Sequence, residues 1–170
     1  GSVPIEYVEQ PCLTVDELAA VRRRVDVRIA ADESIRRAHD PMEVARKQAA
    51  DVVIIKVAPL GGVRAALRVA RKSGLGVVVS SALETSVGLS VGVAAAAAVP
   101  GASRAAGLAT ASLLVGDVTE PLVPERGRLP VERREPDQAL IDRTPVDGDL
   151  IARWGMRLEG MAEHLGVASR

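Results

Sequence analysis

Four short apolar runs rich in β-branched residues punctuate the first half of the chain, at residues 5–9, 27–32, 52–57 and 76–81. Each reads as a strand of a parallel sheet, where burial on both faces removes the usual in/out alternation of polarity. Segments with helical spacing lie between them, at residues 14–24, 41–49 and 63–73. Thr14 is placed to cap the first, with Glu17 three residues on completing a capping box. Gly74 closes the third, where a left-handed residue is wanted. A fifth unit follows, with a helix over residues 87–98 and a short strand over about residues 105–110.

Strand and helix in alternation, joined by short connections, predict a parallel sheet with right-handed crossovers, either open and doubly wound or closed as a barrel. The polar residues choose between these. The carboxyl ends of the four strands carry Glu9, Asp32, Lys56 and the pair Ser80-Ser81, at near-equal separations of 23, 24 and 24 residues. A βα period that delivers a polar group to the same end of each successive strand describes the catalytic face of a (β/α)8 barrel. After Leu113 the pattern breaks up among Pro121, Pro124, Pro130, Pro136 and Pro145. Only residues 150–165 regain a helical stripe, with Ile151, Trp154, Leu158, Met161 and Leu165 on one side. The expected organisation is therefore a partial barrel over residues 1–131. A tail over residues 132–170 follows, its one amphipathic helix packing on the barrel exterior.

Composition narrows the partners. The 22 basic and 22 acidic residues cancel without long runs of one sign, and the chain has no Phe, one Tyr and one Trp. Neither an electrostatic track nor a stacking platform for nucleic acid is present. The longest apolar stretch, residues 87–101, is alanine-rich and broken by Gly88, Ser90 and Gly92, which suits a buried helix and not a membrane span. A single cysteine, Cys12, with no charged-then-apolar leader, favours a cytoplasmic setting.

Glu9 and Asp32, at the ends of adjacent strands, would converge on one hard cation such as Mg2+, which takes oxygen ligands and few of them from protein. Either alone reads equally well as a helix cap. Lys56 ends an apolar run and points to the same mouth, where partial desolvation suits a lysine to proton exchange or charge stabilisation; an ordinary snorkelling lysine is the plain alternative. Ser80 and Ser81 are placed to bond a carboxylate of a small-molecule substrate, or simply to build a turn with Glu84 and Thr85. Gly61-Gly62 lacks the remainder of a phosphate-binding motif, and His39 and His164 lack ligand spacing.

In order and spacing, Glu9-Gln10-Pro11, Ala31-Asp32-Glu33-Ser34, Ile54-Ile55-Lys56 and Ser80-Ser81-Ala82-Leu83-Glu84-Thr85-Ser86 resemble the second half of the o-succinylbenzoate synthases, enolase-superfamily dehydratases, and especially the actinobacterial ones. The resemblance covers roughly residues 5–131. It implies the C-terminal portion, about five βα units, of a (β/α)7β TIM-type barrel. Glu9 and Asp32 would then be two of its Mg2+ ligands. Lys56 would be the lysine facing the catalytic base across the substrate, Ser80, Ser81 and Gly107 would hold the succinyl carboxylate, and Glu33 and Glu84 would support the ligands. The implied reaction is syn dehydration of 2-succinyl-6-hydroxy-2,4-cyclohexadiene-1-carboxylate to o-succinylbenzoate, a step toward menaquinone.

The base, in a Lys-x-Lys motif, the first metal ligand and a capping domain would belong to segments ahead of residue 5. The chain is thus expected to pair with that missing half or with another copy of itself. Two related readings stand beside the dehydratase: an N-acylamino acid racemase or dipeptide epimerase, and a catalytically incomplete half-barrel that only folds or binds. An Asp-x-Asp motif expected of an epimerase is not found at Gly107-Leu108-Ala109-Thr110.

Overall fold

A computed structural model of the chain describes residues 3–35, 40–101, 104–144 and 146–167. His39 and Pro145 lie outside the described residues. Four strands, β1 (Tyr7–Glu9), β2 (Arg28–Ala31), β3 (Val52–Lys56) and β4 (Gly76–Ser80), form one sheet in sequential order with every neighbouring pair parallel. The helices between and after them are α1 (Val15–Arg22), α2 (Asp40–Arg46), α3 (Val63–Ser73) and α4 (Ser86–Ala98). The chain divides into two compact units, Gly1–Pro136 and Asp137–Arg170. The second carries α5 (Gln138–Asp142), which the sequence pattern did not predict, and α6 (Gly148–His164).

The sheet has two unlike faces, set by the period of two along each strand. Ile29, Ala31, Val53, Ile55 and Val79 join Leu18 and Ala19 of α1, Val44 of α2, Ala66 and Val69 of α3 and Leu89 and Val93 of α4 in the main core. Ala30, Val52, Ile54 and Val78 form a separate small cluster on the opposite face, with Tyr7 packed against it. A doubly wound sheet would reverse its strand order and place helices on both faces. Sequential order with all four helices in a single core is the wall of a barrel, its second face turned inward.

Local chemistry fixes the helix ends. Thr14 and Glu17 make the predicted capping box, the Thr14 hydroxyl accepting from the Glu17 N–H and the Glu17 carboxylate accepting from the Thr14 N–H. Gly74 closes α3 at φ +65°. The N-terminus of α4 is held from far along the chain: Asp117 accepts from the Ser86 N–H and, at 2.6 Å, from its hydroxyl, while the Ser86 hydroxyl accepts from Leu122 N–H at 2.8 Å. Ser86 is fully buried, so this lock fixes the helix that follows β4.

The fifth strand is reduced from what the pattern predicts. Over residues 105–110 a single parallel bridge joins Gly107 to Ser80, with Gly107 N–H donating to Val79 O and Ser81 N–H to Gly107 O. Alanine and glycine dominate this stretch and pack poorly on a pleated surface, and the chain leaves the sheet for a 3-10 turn at Thr110–Leu113. Gly107 lies so close to the edge that a Cβ there would stand 2.7 Å from the Ser80 hydroxyl oxygen.

Candidate active site

The alternation that builds the inner cluster also selects the polar rim. Glu9 follows Tyr7 by two residues, Asp32 follows Ala30, Lys56 follows Ile54 and Ser80 follows Val78, so all four continue the inner face at the carboxyl edge of the sheet. Lys56 and Ser80 are direct register partners. Lys56 Nζ donates to Asp32 Oδ2 at 2.5 Å, and this pair is largely buried, with 22% and 7% of the two side chains exposed. Glu9 is exposed at the rim beside Asp32. Burial, then the charge of Asp32, raises the Glu9 carboxyl above its ordinary range, and Lys56 only partly offsets this. Two carboxylates held together with such a rise make a seat for a hard divalent cation: the donors are all oxygen and their mutual repulsion is what a cation relieves. Among the described residues no group of three or more His, Cys, Asp or Glu side chains is arranged to hold a metal, and Glu9 with Asp32 would supply two ligands.

The serine pair is split by the same alternation. Ser80 faces inward, its hydroxyl donating to Gly107 O at 3.3 Å, whereas Ser81 is buried on the other parity and shares a hydrogen bond with the Thr110 hydroxyl at 2.8 Å. Glu84 turns back to accept from Ala82 N–H at 2.7 Å and so shapes the loop after β4; the intervening Leu83 has φ +65°. Glu33 follows Asp32 in a 3-10 turn and its charge also raises Glu9.

Sequence reasoning missed two contributors. Thr110, which holds Ser81, is separated from it by 29 residues, and only the bridge at Gly107 brings them together. Gln10 ties the ends of β1 and β2 through its side-chain amide. The one available signal was its place directly after a candidate ligand. The larger hollows in the first unit lie away from this rim, such as a cavity of about 360 Å³ lined by Val93, Ala97, Leu108 and Leu129. The rim itself is an open, charged edge.

Comparison with known proteins agrees with this geometry. The chain is 60% identical over 155 residues to an o-succinylbenzoate synthase of Thermobifida fusca, and 57% identical over 136 residues to one of Mycobacterium tuberculosis. These matches cover 91% and 80% of the chain, which spans 48% and 42% of the length of those relatives. The muconate lactonizing enzyme of Pseudomonas putida superimposes with a TM-score of 0.75 at 27% identity, over 82% of this chain and 42% of that one. With residues 2–136 matching its pattern, the chain belongs to the enolase C-terminal domain-like family.

Proposed function

We propose that this chain supplies the carboxyl-edge half of an o-succinylbenzoate synthase site, which dehydrates 2-succinyl-6-hydroxy-2,4-cyclohexadiene-1-carboxylate in the cytoplasm. The observation that carries this reading is the placement of Glu9, Asp32, Lys56 and Ser80 on one face of four consecutive strands. The dehydration breaks the C–H bond alpha to the ring carboxylate and the C–OH bond, and water leaves as the ring becomes aromatic. A divalent cation such as Mg2+, held by Glu9 and Asp32 with a further ligand from a preceding strand, would supply a positive charge for the substrate carboxylate.

The chain's own residues do the rest of what falls to it. Lys56, oriented by Asp32, presents an ammonium toward the inner face, where it stabilises negative charge spreading from the carbon that loses its proton. The Ser80 hydroxyl, which rests on the Gly107 carbonyl at the edge of β4, can turn to donate to the succinyl carboxylate, whereas the Gly107 N–H is already given to Val79 O. The proton-abstracting lysine is assigned to another strand of the barrel.

The test is turnover of the cyclohexadiene substrate with Mg2+ by the chain alone and by the chain mixed with a separately expressed N-terminal half bearing the Lys-x-Lys motif. Activity in the mixture, lowered roughly 10²–10⁴-fold by Lys56→Ala, is the expected result. Association of the two halves without turnover would overturn it.

A further inference from the structure

Gln10 is the residue whose chemistry the reading above leaves unused. It directly follows β1, has φ +38°, a conformation that costs a non-glycine residue, and keeps its backbone N–H on Ala30 O at 2.8 Å. Every polar site of its side chain is committed. Oε1 accepts from the Asp32 N–H at 2.8 Å, and Nε2 donates to Cys12 O at 2.9 Å and to the Ser34 hydroxyl at 3.2 Å. One amide thus grips the turn after β1 at Cys12 and the turn after β2 at both Asp32 and Ser34. The two carboxylates of the proposed cation seat stand on either side of it in the rim, Glu9 immediately before and Asp32 directly after β2. A glutamate could not replace it, since its carboxylate lacks both donors and would face the Cys12 carbonyl.

We infer that Gln10 is a positioning residue that fixes the separation of Glu9 and Asp32 and thereby sets the affinity of the site for a divalent cation. The inference rests on the cation seat proposed above and names what holds it in shape. Backbone partners that orient ligands act in this way, and their loss costs roughly 10–100-fold in metal affinity.

Gln10→Asn is the decisive variant. Asparagine tolerates positive φ and keeps the amide but is one methylene too short to span both turns. Mn2+ binding to the 170-residue chain is read by electron paramagnetic resonance of the free ion, alongside hydrogen exchange at the Asp32 amide and far-ultraviolet circular dichroism. The expected result is a roughly tenfold or greater loss of Mn2+ affinity with faster exchange at Asp32 and an unchanged helical spectrum. Glu9→Gln serves as the control that identifies the site. Mn2+ binding abolished by Glu9→Gln but unmoved by Gln10→Asn would overturn the inference alone. No Mn2+ binding by the unmodified chain, either alone or mixed with the separately expressed N-terminal half that supplies the further ligand, would overturn the cation seat and the inference together.

Discussion

The two rims of one sheet treat their charged residues in opposite ways. At the amino edge, Asp51 precedes β3 and is fully engaged: Arg22 of α1 donates to Oδ1 through Nε at 2.9 Å and Nη2 at 2.7 Å, and Ile29 N–H donates to Oδ2 at 3.0 Å. These bonds hold its carboxyl below the ordinary range, the guanidinium first among the causes. Also at that edge, Arg104 approaches the start of β4 at Gly76 and pairs with Glu6 at 2.9 Å. The Arg104 Nε there satisfies the distance of an ion pair but not hydrogen-bond alignment. At the carboxyl edge Lys56 pairs with Asp32, but Glu9 is brought beside that same carboxylate and is pushed the other way. A fold that can neutralise its edge acids does so where only stability is at stake, and the unbalanced rim is where chemistry belongs.

Substitution at each rim should separate the two roles. Asp32→Asn should lower Mn2+ or Mg2+ affinity by roughly 100-fold or more, beyond the loss from a mere supporting group, while leaving the fold intact. Asp51→Ala should do the reverse: cation affinity unchanged, and unfolding in urea shifted by about 2–3 kcal/mol as the Arg22 and Ile29 donors lose their charged acceptor. Equal effects of both on cation binding would dissolve the distinction between the rims.

Gly107→Ala tests whether the edge that ends β4 tolerates any side chain. The added methyl would meet the Ser80 oxygen at 2.7 Å and its Cβ at 3.3 Å, so one of the two segments must move. A stability loss of about 1–2 kcal/mol, and impaired turnover in the reconstituted enzyme through displacement of Ser80, are expected from thermal unfolding and steady-state kinetics.

The pH dependence should also have opposite signs at the two edges. Glu9 binds its proton more tightly folded than unfolded, so its contribution is present below the unfolded-state value and is lost as pH rises through the raised folded value. Asp51 contributes above its unfolded-state value and loses that contribution as pH falls through its depressed one. Urea unfolding across pH 3–8, roughly the carboxylate and near-neutral range, should show Glu9→Gln removing the loss on the alkaline side and Asp51→Asn removing part of the loss on the acid side. Cation affinity should rise with pH through the Glu9 titration, because the ligand must be charged to bind.

Strands, helices and rim residues were legible because they depend on local periods: two along a strand, 3.6 along a helix, and about 24 residues per unit. Glu9, Asp32, Lys56 and Ser80 fell out of that arithmetic and do share one face. What stayed hidden depends on contacts between distant segments. Asp117 reaches Ser86 across 31 residues and Thr110 reaches Ser81 across 29, and no local pattern marks either. The strand over residues 105–110 failed for a related reason. Its placement followed the period, but its Ala-Ala-Gly-Leu-Ala composition supports only the one bridge at Gly107.

The smallest effect is the most specific test of strain at the carboxyl edge. Gln10 and Leu83 both hold positive φ, at +38° and +65°, in turns directly following β1 and β4. Leu83 is 63% exposed and its N–H reaches the Ser81 hydroxyl at only 3.5 Å, so little but the left-handed backbone would change on replacing it with glycine. Relief of about 1–2 kcal/mol of steric cost, less about 0.5–1 kcal/mol of added chain entropy, leaves Leu83→Gly more stable by about 0.5–1 kcal/mol. Gln10→Gly obtains the same relief but surrenders three amide hydrogen bonds, so thermal unfolding should move the opposite way. If both glycine variants gained stability, backbone strain would govern this edge and the Gln10 amide would contribute nothing to it. If both lost stability, Leu83 would have a packing role in the loop that Glu84 shapes.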